Sequence, residues 1–100
     1  MSWSNLPGFK RDLLIATAIV ARDTNRQACG IVIIDEMRER FDQHKSNEAY
    51  YMGLQSLRQR GLIEVCGRDG RRKIHEMTPT GAELLKQHRA DLDESVRVVA

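Results

Sequence analysis

Between Ser46 and Pro79 the chain changes its apolar period twice, and that change constrains the fold more than any other feature. From Ser46 to Arg60 the apolar positions recur at helical spacing, with Ser46 or Asn47 as the N-cap and Gly61 as the stop. Leu62 to Cys66 then reads as a strand, Gly67-Arg68-Asp69-Gly70-Arg71 as a turn, and Arg72 to Met77 as the returning strand. The Asp69-Gly70 pair is a strong hairpin signal. Thr78-Pro79 caps a further helix, and Thr80 with Glu83 offers an alternative capping box one turn along.

Upstream, Pro7 suits the start of a helix, where its missing N–H would lack a partner anyway. Phe9, Leu13, Ala16, Thr17 and Val20 form one stripe, widened by Leu14, Ile15 and Ile19, which marks a central helix. The polar run from Arg22 to Arg26 ends it. A second helix spans about Gln27 to Asp42, with Ile33, Ile34, Met37 and Phe41 inward. Asp35, Glu36, Arg38, Glu39 and Arg40 face outward, and Gly30 near the start suggests close packing. Three helices, a hairpin and a closing helix make a mainly α protein with a small β-hairpin, a winged helix-turn-helix. The expected core is Leu13, Ile33, Met37, Leu54, Leu57, Leu62 and Ile63.

Composition excludes several alternatives. One hundred residues, 41% hydrophobic and 30% charged, are ordinary for a globular domain that buries its own core. Lys10 and Arg11 before the apolar run Leu13 to Ala21 faintly resemble an export signal. Asp12 interrupts that pattern, Arg22-Asp23 follow at once, and nine residues are too few to span a bilayer. A buried helix of a cytoplasmic protein, with no membrane partner, is the better reading. Cys29 and Cys66 lie far apart in no CxxC pattern, as expected of a reducing compartment.

Catalytic and metal chemistry find no motif. The sequence has no GxSxG, Walker loop or HExxH, so no enzyme activity and no cofactor is expected. His44, His75 and His88 are scattered without zinc spacing. Cys66 reads as a half-buried structural thiol, with a redox role beside Arg68 as the less favoured alternative.

Charge is what points to a partner. The net charge is only +2, yet Gln43 to His75 holds seven basic residues against three acidic ones. Excess positive charge in one third of the chain invites a polyanion, against the plain reading of a solvated surface. A helical wheel centred on Leu54 places Asn47, Tyr50, Tyr51, Leu57 and Arg58 near the inward face. The opposite face carries Glu48, Ala49, Met52, Gln55, Ser56 and Gln59.

At the third helix and hairpin the sequence resembles the PadR-like family of transcriptional regulators. The matching residues are Tyr51-x-x-Leu54-x-x-Leu57-x-x-x-Gly61-Leu62-Ile63, then Arg72-Lys73, then Thr78-x-x-Gly81. Gly30-Ile31 resembles the family's Gly-aromatic pair with the aromatic missing. Leu6-x-x-Phe9-x-Arg11-Asp12-Leu13-Leu14 is similar to short archaeal members. The likeness covers about residues 6–90. His75 stands where many members carry Tyr, and the last helix is short for the family, which disfavours an elaborate effector domain.

The joint expectation is a homodimeric regulator, a repressor, that binds double-stranded DNA. The third helix enters the major groove with Ala49, Met52, Gln55, Ser56 and Gln59 at base edges. Ser46 and Asn47 lie near phosphates at its N-terminus, and Tyr51 is counted with this surface despite its place on the wheel. Lys45, Arg58, Arg68, Arg71, Arg72 and Lys73 bind the backbone. Residues 1–78 form the DNA-binding domain and 79–100 a dimerisation helix. Its stripe of Leu85, His88, Leu92, Val96 and Val99 pairs with a second copy, aided by Trp3 and Phe9. His88 is expected at the edge of that seam, in preference to a pH sensor. No sequence feature calls for a small-molecule effector. The competing class is a winged helix that binds protein and leaves the basic wing solvated.

Overall fold

The computed structural model describes the backbone of residues 5–99 and the side chains of residues 5–89. Its elements run α1 (Gly8–Arg22), α2 (Gly30–Arg40), α3 (Asn47–Gln59), β1 (Ile63–Asp69), β2 (Arg72–Met77) and α4 (Pro79–Val99). This is the order and type read from the sequence.

Helix α1 buries Leu13, Leu14, Ala16, Thr17 and Val20 against the other helices, as its broad apolar stripe requires. Asp23 closes its C-terminal end. One carboxylate oxygen accepts from the Asn25 N–H at 2.9 Å and the other from Arg26 Nε at 2.7 Å. Those two bonds, the backbone one first, hold the Asp23 carboxyl below its ordinary range.

Helix α2 begins at Gly30, later than the periodicity suggests, because the chain before it is extended. Cys29 forms an antiparallel bridge to Ile74, and the Ala28 carbonyl accepts the His75 N–H at 2.9 Å. A single bridge thus docks the wing onto the segment that leads into α2. Its pairing is long-range, so local pattern could not reveal it. Glu36, expected outward, is only 5% exposed. Arg26 Nη2 at 3.3 Å and Arg40 Nε at 3.5 Å neutralise its carboxylate, which makes that burial tolerable.

Ser46 caps α3, its hydroxyl accepting from the Ala49 N–H at 3.1 Å. The turn before it is held by Tyr50, whose hydroxyl donates to the Gln43 carbonyl and accepts from the Lys45 N–H at 3.4 Å. At the other end Gly61 adopts φ +72°, and the Gly61 and Leu62 N–H groups bond to the Arg58 and Leu57 carbonyls. That is a Schellman ending, which needs a residue at ease with positive φ.

The hairpin differs in detail from expectation. Strand β1 continues through Gly67, Arg68 and Asp69, and the loop is only Gly70-Arg71. Gly70 alone has positive φ, the type II′ pattern with glycine first, so the turn is Gly-Arg where Asp-Gly was the signal. Cys66 sits at an irregularity in the pairing between Val65 and Gly67. It is therefore exposed, contrary to the half-buried position expected of it.

All seven expected core residues are buried, joined by Leu6, Tyr50, Ile34 and Leu84 among others. Leu84 anchors α4, and Leu85 packs half-buried beside it. Among the described residues no helix is long and apolar enough to cross a membrane.

Candidate nucleic-acid interface

A groove of about 610 Å³ runs between α3 and the wing. Its α3 wall is Glu48, Tyr51, Met52, Gln55 and Arg58; its wing wall is Arg71, Arg72, Lys73 and His75; Gly30 and Ile31 of α2 lie between. The walls meet because the Schellman ending of α3 turns the chain straight into β1, and β2 brings the basic run back alongside α3.

On the other side of α3 a shallower depression of about 490 Å³ is lined by Phe9, Lys10, Ala49, Ser56 and Gln59, together with Met52, Gly53 and Gln55. Met52 and Gln55 border both depressions and so stand on the ridge of the helix. Met52 is 62% exposed, an unusual position for a large apolar side chain with nothing to bind.

Tyr51 departs from the helical wheel. It is 48% exposed, and its ring lies over the first turn of α2. A Cβ on Gly30 would meet Tyr51 Cε1 at 2.5 Å, so the glycine is what lets the ring lie there. The sequence signal for Gly30, close packing, was right, and its neighbour is the residue the wheel had placed inside.

The remaining expected DNA-binding residues divide. Lys45 is exposed, its Nζ 5.0 Å from the centroid of Phe9, which also packs on Tyr50 with centroids 5.6 Å apart. Phe9 thus uses its ring within its own chain. Asn47 accepts from Arg38 Nη2 at 2.9 Å, and Ser46 is occupied as the cap. Arg68 pairs opposite Lys73 across the hairpin and lies outside the groove lining. Of the expected dimer residues, Leu85 and His88 are half-buried, while Trp3 and the side chains of Leu92, Val96 and Val99 lie outside the described residues.

Sequence reasoning missed His75 and Glu48 as groove residues. His75 is 4% exposed. Its Nδ1 lies 3.0 Å from the Ala28 carbonyl oxygen, which can only accept, so the proton is on Nδ1. Nε2 therefore carries the lone pair and accepts from Arg58 Nη1 at 3.0 Å. Burial pushes the imidazole below the usual histidine range; the Ala28 bond opposes this, and the Arg58 and Lys73 charges reinforce it. The available signal was a histidine in a wing strand otherwise marked by bases, and alternation alone did not rank it. Glu48 brings the one carboxylate among the groove-lining residues, beside four bases.

Among the described residues no group of three or more His, Cys, Asp or Glu side chains is placed to hold a metal ion. The groove offers a cationic wall, a wall of polar and apolar tips, and an open mouth.

No family model matches the chain, and no curated protein matches it. Solved structures do. A PadR family transcription regulator from hypervirulent Clostridium difficile superposes with a TM-score of 0.66 at 20% identity, covering 91% of this chain and 94% of that one. A transcriptional regulator from Clostridium thermocellum gives 0.63 at 20% identity, covering 99% and 94%. The chain folds as a winged helix of the PadR type.

Proposed function

We propose that the protein is a transcription regulator that binds double-stranded DNA, with α3 in the major groove and the wing on the phosphate backbone. The observation that carries this is the groove itself: Arg58, Arg71, Arg72 and Lys73 converge on the exposed ridge of α3. Basic side chains on a wing beside a polar helix supply backbone affinity and base recognition together. The solved relatives in fold are described as transcription regulators, which favours the same role. Gln55 and Gln59 suit adenine, and Met52 suits a thymine methyl, which favours A·T-containing half-sites. The protein carries out no catalysis in this reading, and represses by occupying its site in the cytoplasm.

The active species is a homodimer joined through α4, with residues 1–78 on the DNA and residues 79–100 as the joining helix. Leu84 and Leu85 fasten the beginning of α4 to the body, and the helix continues to Val99. Its 21 residues span about 31 Å, much of the molecule's longest extent of 48 Å. A two-fold axis through such a helix sets the α3 pair at successive major grooves, about 34 Å apart.

Fluorescence anisotropy with a labelled mixed-sequence duplex tests the reading. Binding at low salt that weakens steeply as salt rises supports it. Failure to bind duplex at any salt returns the fold to the protein-binding class.

A further inference from the structure

We propose that His75 is a positioning residue for Arg58: from the wing strand its imidazole holds the guanidinium in the groove, where it meets a DNA phosphate. This rests on the DNA-binding reading and adds a part to it.

Arg58 lies in the last turn of α3 and reaches the groove on a long, flexible stem. Left to itself, such a side chain samples many rotamers, and ordering it on binding costs affinity. Here Nη1 is already tied to His75 Nε2 at 3.0 Å. The ring cannot drift, because the backbone N–H and Nδ1–H of His75 both donate to the Ala28 carbonyl, at 2.9 and 3.0 Å. That carbonyl belongs to the segment that docks the wing on α2 through the Cys29–Ile74 bridge. The guanidinium is thus referenced to three parts of the fold at once. Tied through Nη1, it can still present its Nε–Nη2 edge to a phosphate in a bidentate pair.

The arrangement requires a neutral ring. Protonated Nε2 has no lone pair to offer, and would place a second cation 3.0 Å from the guanidinium. The charged groups facing this spot are Lys73 on the wing and Glu48 on α3, with Arg71 and Arg72 further along the groove lining; α2 contributes only Gly30 and Ile31 there. Bases outnumber the acid, so the surroundings favour the neutral imidazole near pH 7.

The experiment is a double-mutant cycle on duplex binding at fixed salt, with His75→Phe, Arg58→Ala and the double variant, and thermal melting of each. Arg58→Ala and His75→Phe should each weaken binding about tenfold, the fold-change of one charge-assisted hydrogen bond. The double variant should bind no more weakly than Arg58→Ala alone, and His75→Gln, which keeps an acceptor, should recover part of the loss. The unmodified chain supplies a second readout. Its advantage over Arg58→Ala should shrink as pH falls through the range in which His75 takes up a proton, which burial sets below that of an ordinary histidine. Losses that multiply in the double variant, or an advantage constant with pH, overturn the proposal. So does Arg58→Ala binding normally while loss of Arg71, Arg72 and Lys73 abolishes binding, although DNA binding then stands. A native chain that binds no duplex overturns both.

Discussion

The backbone of Gly81 lies directly against the carbonyl oxygen of Leu62, so close that a Cβ on residue 81 would overlap it. The same carbonyl accepts the Thr78 N–H at 3.2 Å. Thr78 Oγ1 donates to the Gly61 carbonyl at 2.6 Å and accepts from the Gly81 N–H at 3.0 Å. The start of α4 is therefore riveted to the end of α3, which explains why Gly61-Leu62-Ile63 and Thr78-x-x-Gly81 occur together. Gly81→Ala should destabilise the fold by about 1–3 kcal/mol, the range for forced overpacking. Thr78→Ala should cost about 1–2 kcal/mol through removal of the cap. Chemical denaturation of the two variants measures both, and an unchanged midpoint for Gly81→Ala would refute the close approach.

Leu54 is 1% exposed at the centre of the inward face of α3, among α1 and α2. Truncating it to Ala should cost about 2–5 kcal/mol, from the forfeited transfer energy and a residual cavity. A loss below about 1 kcal/mol in urea unfolding would mean the core is not centred there.

Glu64 and Glu76 stand directly opposite each other in the hairpin. A hydrogen bond to Glu76 raises the Glu64 carboxyl above its ordinary value, with partial desolvation and the Glu76 charge adding to it. A pKa raised in the fold means a contribution fully present below the unfolded value and lost as pH rises through the folded one. At pH 7 both carboxylates are charged and repel. Glu76→Gln should therefore melt above the native chain at pH 7, with the gap closing as pH falls to about 4. A gap that widens in acid would contradict the pairing.

Light scattering at micromolar concentration should give twice the 11.5 kDa chain mass. Leu92→Asp combined with Val96→Asp should return it to the monomer, because charge on an apolar seam opposes association. A monomeric native chain would remove α4 as the joining helix.

The sequence carried the element order well because each boundary has a local chemical cause: Ser46 as a cap, Gly61 as a Schellman residue, Thr78 before Pro79. What it hid was non-local. The Cys29–Ile74 bridge couples residues 45 positions apart, and it is this pairing that delays α2 and brings His75 under Arg58. Glu36 looked like surface because one of its two arginine partners, Arg26, lies before α2 and outside its helical pattern. Met52 and Gln55 were legible as exposed residues on the outer face of α3, whereas the wheel misplaced Tyr51, whose seat depends on Gly30 in another helix.

The central claim is that the wing binds DNA through its phosphates, and the salt dependence of duplex affinity for Arg71→Ala/Arg72→Ala/Lys73→Ala tests it most directly. The native chain should show a steep fall of log affinity with log salt. The variant should bind every sequence more weakly, with a slope shallower by about 0.9 for each phosphate it no longer neutralises. A variant with the native affinity and the native slope would contradict the account.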